Sequence, residues 1–191
     1  MRCVARATGA IGPLLAMQGR EPLDSTPLGR AVTGLAAATA LAGGLVLLAM
    51  IGVVLASVAG RALLRFGFTS IRGDYELVSA GTAVAAFAFL GWAQLKDGHA
   101  VVDLLVERFP ARLRSALAAA VNLLVAACGA VLAWRLAAGA LDKLAYGETT
   151  QLLRLPLVWP YAACALGAAI FALTALYCAL RDGLAIAEPH P

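Results

Sequence analysis

Charge is what this chain has least of. Asp, Glu, Lys and Arg make up 14% of its 191 residues, where a soluble domain carries about a quarter. The scarcity is also localised. No charged side chain and no histidine occurs in Ala31–Gly60, Leu77–Leu95, Ser115–Trp134 or Leu155–Leu180. A proton- or sodium-coupled carrier keeps an ionisable group at mid-membrane to bind the ion. Four charge-free stretches therefore argue against an autonomous secondary transporter, and against small multidrug exporters, which need an intramembrane carboxylate. The four cysteines include no C-x-x-C pair, which excludes a membrane disulfide oxidoreductase. Cys164 and Cys178 are too far apart on one predicted helix to bridge, and buried cysteine behaves as a small apolar residue. No nucleophile–base constellation, phosphate-cradling loop or cofactor motif is present. No enzyme activity, cofactor or metal is expected.

Apolar residues, by contrast, make up 62% of the chain, and its mean hydropathy is +0.85. That composition excludes a disordered chain and an ordinary soluble enzyme. The net charge of +4 would suit nucleic acid, but its distribution around long apolar runs removes that partner. A helix needs about 20 apolar residues to cross a bilayer core, and each uncharged run is of about that length or longer. The sequence predicts an all-α integral membrane protein. Its four transmembrane helices lie near 33–58, 76–95, 115–137 and 157–180, within a membrane domain over 31–184. Residues 1–30 are expected to form a disordered cytoplasmic tail, with Met17 as an alternative start, and 185–191 a short C-terminal tail. The apolar stretch Ala10–Met17 is too short, and too broken by Gly12 and Pro13, to serve as a signal peptide.

Lys and Arg in short loops set orientation. Arg2, Arg6, Arg20, Arg30, Lys96, Arg108, Arg112, Arg114 and Arg181 fall on one side. Arg61, Arg65, Arg72, Arg135, Lys143 and Arg154 fall on the other. This imbalance predicts both termini in the cytoplasm. In the middle loop, a helical projection at about 100° per residue gathers His99, Asp103 and Glu107 into one polar stripe, with apolar residues on most of the remaining arc. Pro110 ends the segment. A short amphipathic helix over 100–109, lying in the membrane plane between spans two and three, is expected. The polar stripe could present metal ligands, but without a second cluster to close a site it reads as a solvated face. Asp74 and Glu76 open span two, where acids meet the partial positive charge of a helix N-terminus. Pro156, Trp159, Pro160 and Tyr161 open span four, where proline suits the helix start and aromatics the headgroup level. Small residues recur in span one (Ala36, Ala40, Gly44) and span three (Ala126, Gly129, Ala130, Ala133). They fit either a tight four-helix bundle or faces that bind a second membrane protein.

Three stretches resemble the small membrane subunit, of DctQ type, of tripartite ATP-independent periplasmic (TRAP) transporters. The first is Arg65–Val78, with its arginine-aromatic start and Gly73-Asp74-Tyr75-Glu76-Leu77. The second is Phe87–Asp103, with Gln94-Leu95, Gly98-His99 and Val102-Asp103. The third is Gly147–Tyr161, followed by Gly167. Gly91 stands where the close subgroup often has proline, and Ala100 where a larger residue often follows the histidine. The likeness spans about residues 30–181. It implies a bacterial inner-membrane subunit that acts as a scaffold in a sodium-coupled importer of an organic acid or similar solute. A periplasmic solute-binding protein would deliver the solute, and a large multi-span permease subunit would bind solute and sodium and move them. Under this resemblance Arg65, Asp74 and Glu76 lie at the outer interface, His99 and Asp103 fix the turn into the in-plane helix, and Pro156 and Trp159 are interface or structural residues where span four opens. The alternative is a self-contained four-helix membrane protein. It would be a homo-oligomeric channel lined by Thr and Asn, or a membrane-bound enzyme using His99 and its neighbouring acids. An assembly factor for another membrane complex is a third.

Overall fold

Four helices account for nearly all of the residues that a computed structural model describes, which are 27–63, 73–96 and 111–187. They are α1 (Pro27–Ala62), α2 (Asp74–Leu95), α3 (Ala111–Tyr146) and α4 (Val158–Ala187). Each is long and apolar enough to cross a membrane. The expected in-plane helix over 100–109 lies outside the described residues, as do Arg65, His99 and Asp103.

Local chemistry sets the helix ends. Pro27 begins α1, where a missing N–H costs nothing. Gly73 caps the start of α2 with φ of 89°, a left-handed conformation that glycine adopts without strain. A side chain there would also collide with Leu153, since a Cβ would lie 2.7 Å from its Cγ. At the end of α3, Gly147 is again left-handed, with φ of 60°. Its N–H donates to the Leu144 carbonyl, and the Glu148 N–H donates to that of Lys143. This pair of bonds is the Schellman arrangement that satisfies the last carbonyls of a helix. The α3–α4 connection then folds back on itself through an antiparallel bridge between Thr149 and Pro156. The Thr150 N–H donates to Leu155, and the Leu157 N–H to Glu148. Pro160 falls in the first turn of α4, where its lack of an N–H is harmless.

Neighbours in space follow the order α1, α2, α4, α3. The extensive packing is α1 on α2, α2 on α4, and α4 on α3. No extensive packing joins the described parts of α1 and α3, so these two helices form opposite edges of the assembly. The central place of α4 shows in its burial: 56% of its most apolar window is covered, against 11%, 17% and 11% for α1, α2 and α3. Its buried face holds Cys164, Ala168, Ile170, Phe171, Thr174, Ala175, Tyr177 and Cys178.

Glycine and alanine make these contacts possible. Lipid tails are as apolar as leucine, so helices associate in a bilayer through close packing and hydrogen bonds. Gly167 lies against α2 so closely that a Cβ would sit 3.0 Å from the Phe87 carbonyl. Gly129 of α3 meets Phe171 and Ala172 of α4 in the same way, and Gly43 of α1 meets Ala85 and Ala88 of α2. The structure thus divides the small residues of span one. Gly43 and Ala36 are buried, whereas Gly34, Gly44 and Gly52 would meet nothing within 4 Å of an added Cβ.

Candidate interface sites at the helix ends

The N-terminal end of α2 carries a knot of polar contacts. Asp74 stands in the first helical turn, and its Oδ2 accepts from the Ser57 hydroxyl and from the Arg61 guanidinium at 2.9 Å. Its Oδ1 accepts from the Tyr75 N–H at 2.9 Å. Ser57 is 1% exposed, so its hydroxyl, cut off from water, is satisfied by the half-buried carboxylate. The bonds tie the end of α1 to the start of α2. Glu76 reaches the other way. Its two carboxylate oxygens accept from the backbone N–H groups of Leu152 at 2.9 Å and Leu153 at 3.1 Å. One side chain therefore fastens the α3–α4 connection to the N-terminus of α2. Both acids thus do more than complement a helix dipole: they join elements far apart in sequence. Lys143 and Glu148 add an ion pair of 2.6 Å beside the same connection.

Pro156 supplies one side of the bridge in that connection and is exposed, and the Trp159 indole is 73% exposed at the start of α4. Among the described residues, the cation at Asp74 is Arg61. Neither Ser57 nor Arg61 was singled out from the sequence. Their signal was positional, a hydroxyl one turn ahead of an arginine where the uncharged run stops.

At the opposite end a chain of side-chain bonds crosses three helices. The Gln94 amide (α2) donates to Asn122 Oδ1 (α3) at 2.8 Å, and Asn122 Nδ2 donates to Asp182 Oδ2 (α4) at 2.8 Å. Arg181 lies 3.7 Å from the other oxygen of Asp182. Gln94 is 4% exposed and Asp182 8%. Cys178 directs its sulfur toward the Gln94 carbonyl at 4.0 Å. A buried carboxylate at this point was not evident from the sequence, where Asp182 stands just past the uncharged run and reads as an interfacial charge. It is covered because α4 is the central helix and α3 runs on beside it. Among the described residues, no group of three His, Cys, Asp or Glu comes together to hold a metal.

Between the two polar ends the surface is apolar and largely uncovered. On α1, Leu41, Leu45 and Leu48 are 72%, 68% and 65% exposed. On α3, Val121, Leu124 and Val131 are uncovered too. Such continuous apolar area belongs in lipid or against another membrane protein.

A family model described as "Tripartite ATP-independent periplasmic transporters, DctQ component" matches residues 50–184. The chain belongs to the DctQ family. Comparison with curated proteins and with solved structures returned no match. DctQ membership makes the chain the small permease component of a TRAP transporter, in a family of transport subunits rather than of enzymes. The match takes in both polar clusters, from Ser57 and Asp74 to Asp182. It begins at Met50, inside α1, so about the first two thirds of that helix precede it.

Proposed function

We propose that this DctQ component is the immobile scaffold of a sodium-coupled importer for an organic acid or similar solute. In this reading a large multi-span permease subunit carries solute and sodium, and a periplasmic solute-binding protein delivers the solute. Both termini face the cytoplasm of a bacterial cell, and the α3–α4 connection faces outward. The observation that carries the proposal is the use of the carboxylates. Asp74, Glu76 and Asp182 are each engaged in bonds between elements, and all three sit at helix ends. Ion coupling requires a group at mid-membrane that can take up and release its ion. Groups that hold helices together are suited to rigidity instead. The uncovered apolar face of α3 supplies the surface a partner subunit needs.

Arg65, Asp74, Glu76, Pro156 and Trp159 belong on this reading to the outward platform, near the docking site of the binding protein. His99 and Asp103 belong to the cytoplasmic turn. Purification of the tagged chain from its native host in mild detergent tests the proposal. Recovery of one stoichiometric multi-span permease supports it. A clean homo-oligomer, or a monomer stable alone, would sink it. The Glu76→Ala variant should then lower recovery of the complex while leaving solute affinity of the assembled fraction unchanged. Normal assembly with lost affinity counts against a scaffold.

A further inference from the structure

An apolar trough runs along the α1–α2 seam, lined by Ala37, Ala40, Gly44, Leu48 and Phe89 and ending at Trp92, with a volume of about 910 Å³. A smaller hollow of about 290 Å³ continues it past Ala37 and Trp92, and its lining includes Arg30 and Thr33. Lys96 lies over the Trp92 ring, with its Nζ 5.0 Å from the ring centre. The apolar trough therefore leads to a hollow lined by Arg30 and Trp92, with Lys96 over the same indole. No acid opposes the two cations within the described helices that form the trough: α1 carries none, and those of α2 are confined to its opposite end.

Dimensions identify the occupant. At 1.5 Å per residue, Ala37 to Leu48 spans about 16 Å along α1, and half of a hydrocarbon core is about 15 Å. The trough is as deep as one leaflet. Arg30 lies two further turns toward the helix start, about 10 Å on, at the level where headgroups begin. Trp92 marks the same level, since indoles favour the membrane interface. We propose that the α1–α2 trough binds one acidic phospholipid, with an acyl chain along Ala37–Leu48 and the phosphate held by Arg30 and Lys96. The site is independent of the scaffold proposal, and its trough residues on α1 precede the part of the chain that matches the family.

Native mass spectrometry of the purified full chain, with any subunit that accompanies it, tests the site. Phosphatidylglycerol and phosphatidylcholine of matched acyl chains are the probes. One phosphatidylglycerol should be retained per chain, preferred over phosphatidylcholine by about thirtyfold, or roughly a factor of five for each cation. Replacing both cations, Arg30→Gln with Lys96→Gln, should abolish the preference. Arg135→Gln, which removes an exposed cation of α3, should leave it intact. Gly44→Leu should reduce retention of both lipids, because its side chain enters the trough without displacing any neighbour within 4 Å of the Cβ. Equal binding of the two lipids, or an undiminished preference in the double variant, overturns the proposal. So does capture of the permease subunit by a photoreactive maleimide attached to Gly44→Cys, which would assign the trough to a protein helix while leaving the scaffold reading standing.

Discussion

Asp74 and Glu76 are two residues apart and perform different tasks, one drawing α1 to α2 and the other drawing the α3–α4 connection to α2. The difference comes from which face of the first turn each occupies. Glu76→Ala leaves the N–H groups of Leu152 and Leu153 without an acceptor from this side chain, and a net hydrogen bond of ordinary strength protects an amide by roughly tenfold. Hydrogen exchange followed by mass spectrometry should therefore show faster exchange, by about tenfold, confined to 149–156. Unchanged exchange there would mean the connection is held by its own bridge alone. At the other end, Asn122 is both acceptor for Gln94 and donor to Asp182. Asn122→Leu removes both bonds and leaves a carboxylate covered. Interhelical polar contacts in membrane proteins contribute about 0.6 kcal/mol on average and up to about 1.7. The variant removes two such contacts and should lose about 1–3 kcal/mol, measured as a lower Tm in detergent, and a neutral result would mean that water replaces the asparagine.

Elements meet here through small residues, and the same residue type has opposite consequences at different positions. At Gly167 an added methyl would press on the Phe87 backbone, which cannot swing aside as a side chain can. Overpacking of this kind costs about 1–3 kcal/mol. Gly167→Ala should lower the Tm accordingly. Gly52→Ala, on an open face of α1, should be neutral or stabilising by up to about 1 kcal/mol, since alanine removes the conformational cost of glycine in a helix. Equal effects at the two sites would contradict the close approach of α2 and α4. Hydrophobicity does not separate these glycines, because the uncharged runs are apolar on every side. Their distinction is steric, and it exists only once the helices have neighbours.

The whole assembly is open at its edges. In a closed ring with the neighbour order α1, α2, α4, α3, the first and third helices would touch; here they do not pack extensively. On a background without native cysteine, Gly129→Cys with Ala172→Cys should cross-link under mild oxidation, since a Cβ at Gly129 lies 3.2 Å from that of Ala172, close to the usual disulfide separation of about 3.5–4.5 Å. Leu45→Cys with Leu132→Cys, on the exposed faces of α1 and α3, should not cross-link. Efficient cross-linking of the second pair would show a closed bundle. An open arrangement suits a subunit whose edge helices are completed by lipid and by a partner rather than by each other.

The membrane character, the number of spans and the family were legible in the chain itself. Each rests on local quantities: the length of an uncharged run, the position of a charge beside it, and short motifs such as Gly73–Leu77. Asp74 and Glu76 could be singled out because charges at a helix end are conspicuous, but their partners Ser57 and Leu152–Leu153 could not. Nor could the burial of Asp182, which depends on α4 lying between α2 and α3. In a bilayer apolarity drives a helix into lipid without selecting which face meets another helix, so hydropathy carries almost no information about neighbour order. That order was decided by tertiary contacts alone: the close fit of Gly43, Gly129 and Gly167, and the few polar side chains that must find one another where water is absent.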